Sequence, residues 1–163
     1  MWNERGGVGH SASGLLAVAV IVFVSGCGSS GSTSAKLTPT QYSTAQRVES
    51  YRLALGKILA PFTHPQPNPE DLGHADRLLK TSIGQLKRLI PPPAFASVHG
   101  ELTRDTEAER LALVQFGKAR RSKDAVALSN AQATAAQATA RTRADIAQVN
   151  TVIKKCRAES FSC

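Results

Sequence analysis

Asn68 to Pro93 reads NPEDLGHADRLLKTSIGQLKRLIPPP, and this stretch decides the fold. Asn68 is a helix-capping residue, and Pro69 follows where a missing N–H costs nothing. Glu70 and Asp71 then face the positive end of the helix dipole. Leu72, Ala75, Leu79, Ile83, Leu86 and Ile90 recur at steps of three and four, the spacing of one helical face. Pro91-Pro92-Pro93 closes the segment, because proline lacks the donor and bars the residue before it from helical geometry. The spacing predicts a helix over 69–90 with one face to bury, so it needs neighbours of the same kind.

Such neighbours flank it. On the amino-terminal side, Thr38-Pro39 opens a helix expected over 39–60, with Ala45, Val48, Leu55, Leu59 and Phe62 inward and Pro61 as its stop. His64-Pro65-Gln66-Pro67 is a rigid connector. On the carboxyl side a helix is expected over 94–121, with Phe95, Val98, Leu102, Leu113 and Phe116 inward. A fourth is expected over 124–156, with Ser122 as cap and Leu128, Ala131, Ala135, Ala138, Ile146, Val149, Ile153 and Cys156 inward. Its middle is Ala-rich, which favours helix and lets a neighbour approach closely. No segment alternates with period two, so the expected fold is all-α, an up-down-up-down four-helix bundle over 38–163.

The composition fits. The chain has 163 residues, with 20 Lys+Arg against 12 Asp+Glu, a net charge of +8 and a pI near 9.9. That length is one domain, and with aromatics at 5% the core must be aliphatic and Ala.

Ahead of the bundle, Leu15 to Val24 (LLAVAVIVFV) is an uncharged apolar run, short against the roughly 20 residues of a bilayer span but suited to a signal peptide. Glu4 and Arg5 before it cancel. Val24-Ser25-Gly26-Cys27 follows, an aliphatic residue, two small ones and a cysteine. This string resembles the lipobox of bacterial lipoproteins. The resemblance implies diacylglycerol on the Cys27 thiol and cleavage between Gly26 and Cys27. It makes 1–26 a signal peptide, 27–37 a lipidated cysteine with a flexible tether (GSSGSTSA, 28–35), and the location the extracytoplasmic face of the cell membrane. The competing reading is a short apolar tail that is never cut. Leu86 to Pro93, with His99 and Leu102, further resembles the helix–proline–helix joint of small uncharacterised helical-bundle lipoproteins of actinobacterial type; the likeness covers under twenty residues and implies no function.

With Cys27 assigned to lipid, Cys156 and Cys163 remain. In an oxidising envelope they are expected to form a disulfide that pins the chain end without locking one helix to another. A redox or metal pair is the alternative.

No catalytic constellation is visible. Di-iron bundles carry two Glu-x-x-His motifs, whereas Asp71-x-x-His74 occurs once, at a helix start. His64 and His74 are expected at one end of the bundle and His99 at the other, so the three do not converge on a metal; His64 and His74 read as exposed surface histidines, with a weak metal pair as the alternative. No nucleophile elbow or phosphate loop occurs. The expectation is a non-enzymatic protein without cofactor; an envelope hydrolase or transferase has no sequence signature.

Two polar features remain. Glu109 falls in the middle of an apolar face, with Asp105 at its edge, and Arg52 falls between Val48 and Leu55. Either Arg52 and Glu109 meet across the bundle or line a polar pocket, or both lie at the margins and reach water. Secondly, Lys36, Arg47, Lys87, Arg88, Lys154, Lys155 and Arg157 collect at the end where the first helix begins. Lys87, Arg88, Lys154 and Lys155 there would attract anionic lipid or envelope polymer, or simply complement helix carboxyl ends. Nucleic acid is not expected, because aromatic residues do not interleave with the basic ones. Two functions follow: an interaction or structural module at the membrane surface, or a ligand-binding or sensing bundle with a pocket at Arg52 and Glu109.

Overall fold

Thr38 starts the first helix with a reciprocal cap. Its hydroxyl accepts from the Gln41 N–H at 3.3 Å, while Oε1 of Gln41 accepts from the Thr38 N–H at 2.9 Å, so two orphan donors are satisfied at once. The structure, a computed structural model, describes residues 38–62 and 72–163. Helix α1 runs Pro39–Leu59 and tightens into a 3-10 turn over Ala60–Phe62. Helix α2 runs Leu72–Leu86, and a second 3-10 turn, Pro93–Phe95, leads into α3, Ala96–Ser122. Helix α4 runs Ala125–Ala158. Among the described residues there is no strand, and the fold is an all-helical bundle of four helices.

The core gathers Val48, Tyr51, Leu55, Ile58 and Leu59 of α1, Leu86 of α2, Phe95, Val98 and Leu102 around the start of α3, and Ile146, Val149, Ile153 and Cys156 of α4. A smaller cluster of Ala112, Ala135 and Ala138, with Leu113 against it, joins α3 to α4 farther along. The division follows length. Helix α4 has 34 residues and α1 has 21, about 50 Å against 30 Å at 1.5 Å per residue. The Ala-rich part of α4 lets α3 come close where few large side chains are available.

Polar contacts fix the register. Ser82 Oγ donates to the Ile58 carbonyl at 3.2 Å, tying α2 to α1. Arg110 and Asp76 pair at 2.8 Å, tying α3 to α2. Gln41 Nε2 reaches Ser162 Oγ at 3.4 Å, and Arg157 Nε reaches Glu49 at 3.0 Å, so the start of α1 lies beside the end of α4.

Three expectations need correction. Helix α2 ends at Leu86 rather than Ile90, and Ile90 is 88% exposed instead of in the core. Pro91 forces its predecessor into extended backbone, and the helix has unwound by then through a turn at Lys87 and Arg88. The cap of α4 is Asp124, whose carboxylate accepts from the N–H groups of Val126 and Ala127 at 2.9 and 3.0 Å. Ser122 instead donates to the Ala119 carbonyl at 2.8 Å, closing α3. Finally, Tyr51 and Ile58 are core residues of α1 that the apolar stripe did not include.

Candidate functional site

The candidate site is built where the end of α2, the first turn of α3 and the carboxyl loop after α4 meet α1. His99 organises it from the first turn of α3. Its Nε2 lies 3.1 Å from the Leu86 carbonyl oxygen and its Nδ1 lies 3.0 Å from the Tyr51 hydroxyl. A carbonyl only accepts, so Nε2 carries the proton and Nδ1 accepts from Tyr51. One side chain thus joins α1, the end of α2 and α3. Tyr51 also packs on Phe95 with ring centroids 5.1 Å apart, and burial pushes its hydroxyl pKa up to about 12.

Above this floor runs the proline joint. Leu89 packs against the core and Pro92 is buried, while Ile90 between them points to solvent. Tyr42, in the first turn of α1, is another large exposed side chain, next in the chain to Gln41, which bonds to Ser162. Lys87 and Arg88 directly precede this joint in the chain, and Lys154 and Lys155 lie in the last turns of α4. Lys87 pairs with Glu107 of α3 at 3.1 Å, and Lys155 lies 3.9 Å from Glu159. Arg88 and Lys154 are exposed.

Glu49 is a further acidic residue here. Arg52, one turn on, donates to it at 2.8 Å, and Arg157 of α4 pairs with its other oxygen. Burial would raise the pKa of this carboxyl, but the bonds to Arg157 and Arg52 outweigh it and hold the value below the ordinary range. Of the two readings of Arg52 and Glu109, a meeting across the bundle or a place at the margins, the side chains follow the second and do not bond to each other. Arg52 is engaged within its own helix, and Glu109 accepts from Thr139 Oγ1 of α4 at 2.7 Å. Both side chains are half-buried at the margins of their apolar faces.

The sulfurs of Cys156 and Cys163 stand at bonding distance, with Cα atoms 5.2 Å apart. The loop between them does more than pin a frayed end. Phe161, in left-handed backbone at φ 60°, packs against the core, and Ser162 meets Gln41 of α1. The closed loop therefore joins the end of α4 to α1.

A second polar locus lies in the α3–α4 seam. Asp145 is only 8% exposed, and its Oδ2 has no hydrogen-bond partner. Burial, then the like charges of Asp105 and Glu101 on α3, raise its pKa to about 6, with Arg104 opposing. Thr106 and Thr142 are buried in the same seam, each hydroxyl turned back onto its own helix through the Leu102 and Ala138 carbonyls. Reading the apolar stripes singled out Asp105 but passed over Asp145. The available signal was its place three residues after Thr142 and four before Val149, inside the inward arc of α4.

Cys27, the apolar run over 15–24, Lys36 and His64 lie outside the described residues. His99 is buried in the core and His74 is half-buried on α2. Among the described residues no three His, Cys, Asp or Glu side chains are grouped to hold a metal ion, and no helix is long and apolar enough to cross a membrane. Comparison with protein-family models, with curated proteins and with solved structures finds no match.

Proposed function

We propose that the chain is a membrane-anchored envelope lipoprotein, exported by residues 1–26 and acylated at Cys27. Its up-down-up-down bundle is a non-enzymatic interaction or structural module at the membrane surface. The observation that carries the reading is where residue 38 enters the fold. Thr38 opens α1, and Gln41 bonds to Ser162 of the closed carboxyl loop, so the start of α1 lies beside the end of α4; in the proposed up-down order Arg88 and Lys154 belong to the same end. A short tether from Cys27 would bring this cationic end to anionic headgroups, which attract each nearby Lys or Arg by about 1 kcal/mol. Among Lys87, Arg88, Lys154 and Lys155, the pairing of Lys87 with Glu107 and of Lys155 with Glu159 weakens their share of that attraction and leaves the larger part to Arg88 and Lys154.

Mass spectrometry of the protein from the membrane fraction of cells making the full chain tests this. The expected species begins at Cys27 and carries diacylglycerol, and Cys27→Ala leaves the chain without the adduct. An intact, unmodified chain in the soluble fraction overturns the reading. The alternative is a ligand-binding or sensing bundle at Arg52 and Glu109, whose side chains bond to Glu49 and Thr139 and not to each other.

A further inference from the structure

We propose that the proline joint after α2 is a membrane-contacting tip, with Ile90 entering the interfacial layer of an anionic phospholipid surface while Arg88 and Lys154 lie on its headgroups. This rests on the anchoring reading and deepens it by naming the surface of the bundle that touches lipid.

Ile90 is 88% exposed, the most exposed large apolar side chain among the described residues. The backbone sets its direction. The residue before a proline is biased toward extended backbone, and consecutive residues of an extended chain point to opposite sides. Leu89 packs on the core, so Ile90 points away from it. The joint is also fixed: Pro92 and Phe95 are buried, the Phe95 N–H donates to the Pro92 carbonyl at 2.9 Å, and Leu86 is held by His99. Contact through such a rigid element loses little conformational freedom. Tyr42 in the first turn of α1 adds an exposed aromatic residue, of the type enriched at membrane interfaces.

Charge separates lipid from a second copy of the chain as the occupant. Lys87 and Arg88 immediately precede Leu89 and Ile90, and Lys154 and Lys155 close α4 at the same end. A symmetric contact through Ile90 would set these cations against their own copies, and like charges oppose that. An anionic surface meets the same cations favourably. The tip also lies at the end where residues 1–37 join the fold, so an anchored chain has it beside the bilayer.

Two variants of the full chain test the proposal, both carrying Trp2→Phe to remove the single native tryptophan. One carries Ile90→Trp. The other carries Val126→Trp, at an exposed position in the first turn of α4, at the opposite end. Each is reconstituted into phosphatidylglycerol–phosphatidylcholine vesicles with and without brominated acyl chains. The tryptophan at 90 is expected to shift to the blue and lose emission to the brominated lipid, while the one at 126 does neither. Replacing Arg88 and Lys154 by Glu is expected to reduce that loss. Water-like emission at 90 from vesicle-bound protein overturns the tip and leaves the anchor standing. A blue shift without bromine quenching puts Ile90 against protein and also overturns it. Protein that fails to associate with vesicles at all removes both readings.

Discussion

The hydroxyl of Tyr51 in α1 donates to Nδ1 of His99 in α3, 3.0 Å away and out of contact with water. Because Nε2 of the same ring donates to the Leu86 carbonyl, the pair fixes three chain segments through two hydrogen bonds. Tyr51→Phe removes one donor and leaves Nδ1 buried without a partner, a change that costs about 1–3 kcal/mol. Urea unfolding should show that loss. His99→Ala should cost more, because it strips the bond to Leu86 and leaves a cavity as well. In the double variant the two losses should not add, since both act on one network. Additive losses would mean the hydrogen bond contributes nothing.

Asp145 gives the fold a pH dependence of definite sign. Its carboxyl has a folded pKa of about 6 against an ordinary value of 3.8. The folded chain therefore holds a proton more tightly than the unfolded one, and the stability this brings is full below pH 3.8. It is lost as pH rises through about 6. Asp145→Asn keeps the shape and removes the charge, so it should flatten this slope and stabilise the protein at pH 7 by about 1–3 kcal/mol. Glu49 acts in the opposite sense at lower pH: its depressed pKa contributes stability above the ordinary carboxylate range that disappears on acidification. Equal pH profiles for wild type and Asp145→Asn would show that water reaches this carboxylate freely.

The contrast between these residues marks what the sequence discloses. The four helices were legible because their signals are local: the Thr38-Pro39 start, the Pro91-Pro92-Pro93 stop and stripes such as Leu79, Ile83 and Leu86. Cys156 and Cys163 were legible by the same proximity. Polar partnerships were not. Arg52 and Glu109 lie on matching arcs of two helices, but stripes give no axial register between helices, and each found a nearer partner in Glu49 and Thr139. Tyr51 and His99 were hidden for a related reason. An amphipathic or titratable side chain is read as an edge or surface residue until its hydrogen-bond partner is known. Ile90 erred in the other direction, because periodicity counted it inward while Pro91 had already ended the helix.

The closed loop at the carboxyl end should contribute stability in two ways. A loop with a sequence separation of 7 between its cysteines restricts the unfolded chain by roughly 2.5 kcal/mol on the chain-entropy model. It also holds Phe161 against the core. Cys163→Ser is the informative variant, because Cys163 is exposed whereas Cys156 lies in the core. Its expected cost is about 2–3 kcal/mol by chemical denaturation, matched by reduction of the wild type. Phe161→Ala should destabilise the oxidised protein and add little once the bond is broken. An equal effect of Phe161→Ala in both states would mean that Phe161 docks without the loop.

Helical glycines test the packing of α2 against α3. A Cβ at Gly84 in α2 would meet nothing within 4 Å, whereas a Cβ at Gly117 in α3 would meet Leu72 Cδ1 at 3.3 Å. Alanine is favoured over glycine inside a helix by about 0.8–1.0 kcal/mol, so Gly84→Ala should raise the urea midpoint by close to that free energy. At Gly117 the same gain is offset, because Leu72 begins α2 and must shift by a few tenths of an ångström to admit the new methyl group. The expected net change at Gly117 is near zero. Full stabilisation there would mean that the start of α2 yields at no cost, and that Gly117 does not set the approach of the two helices.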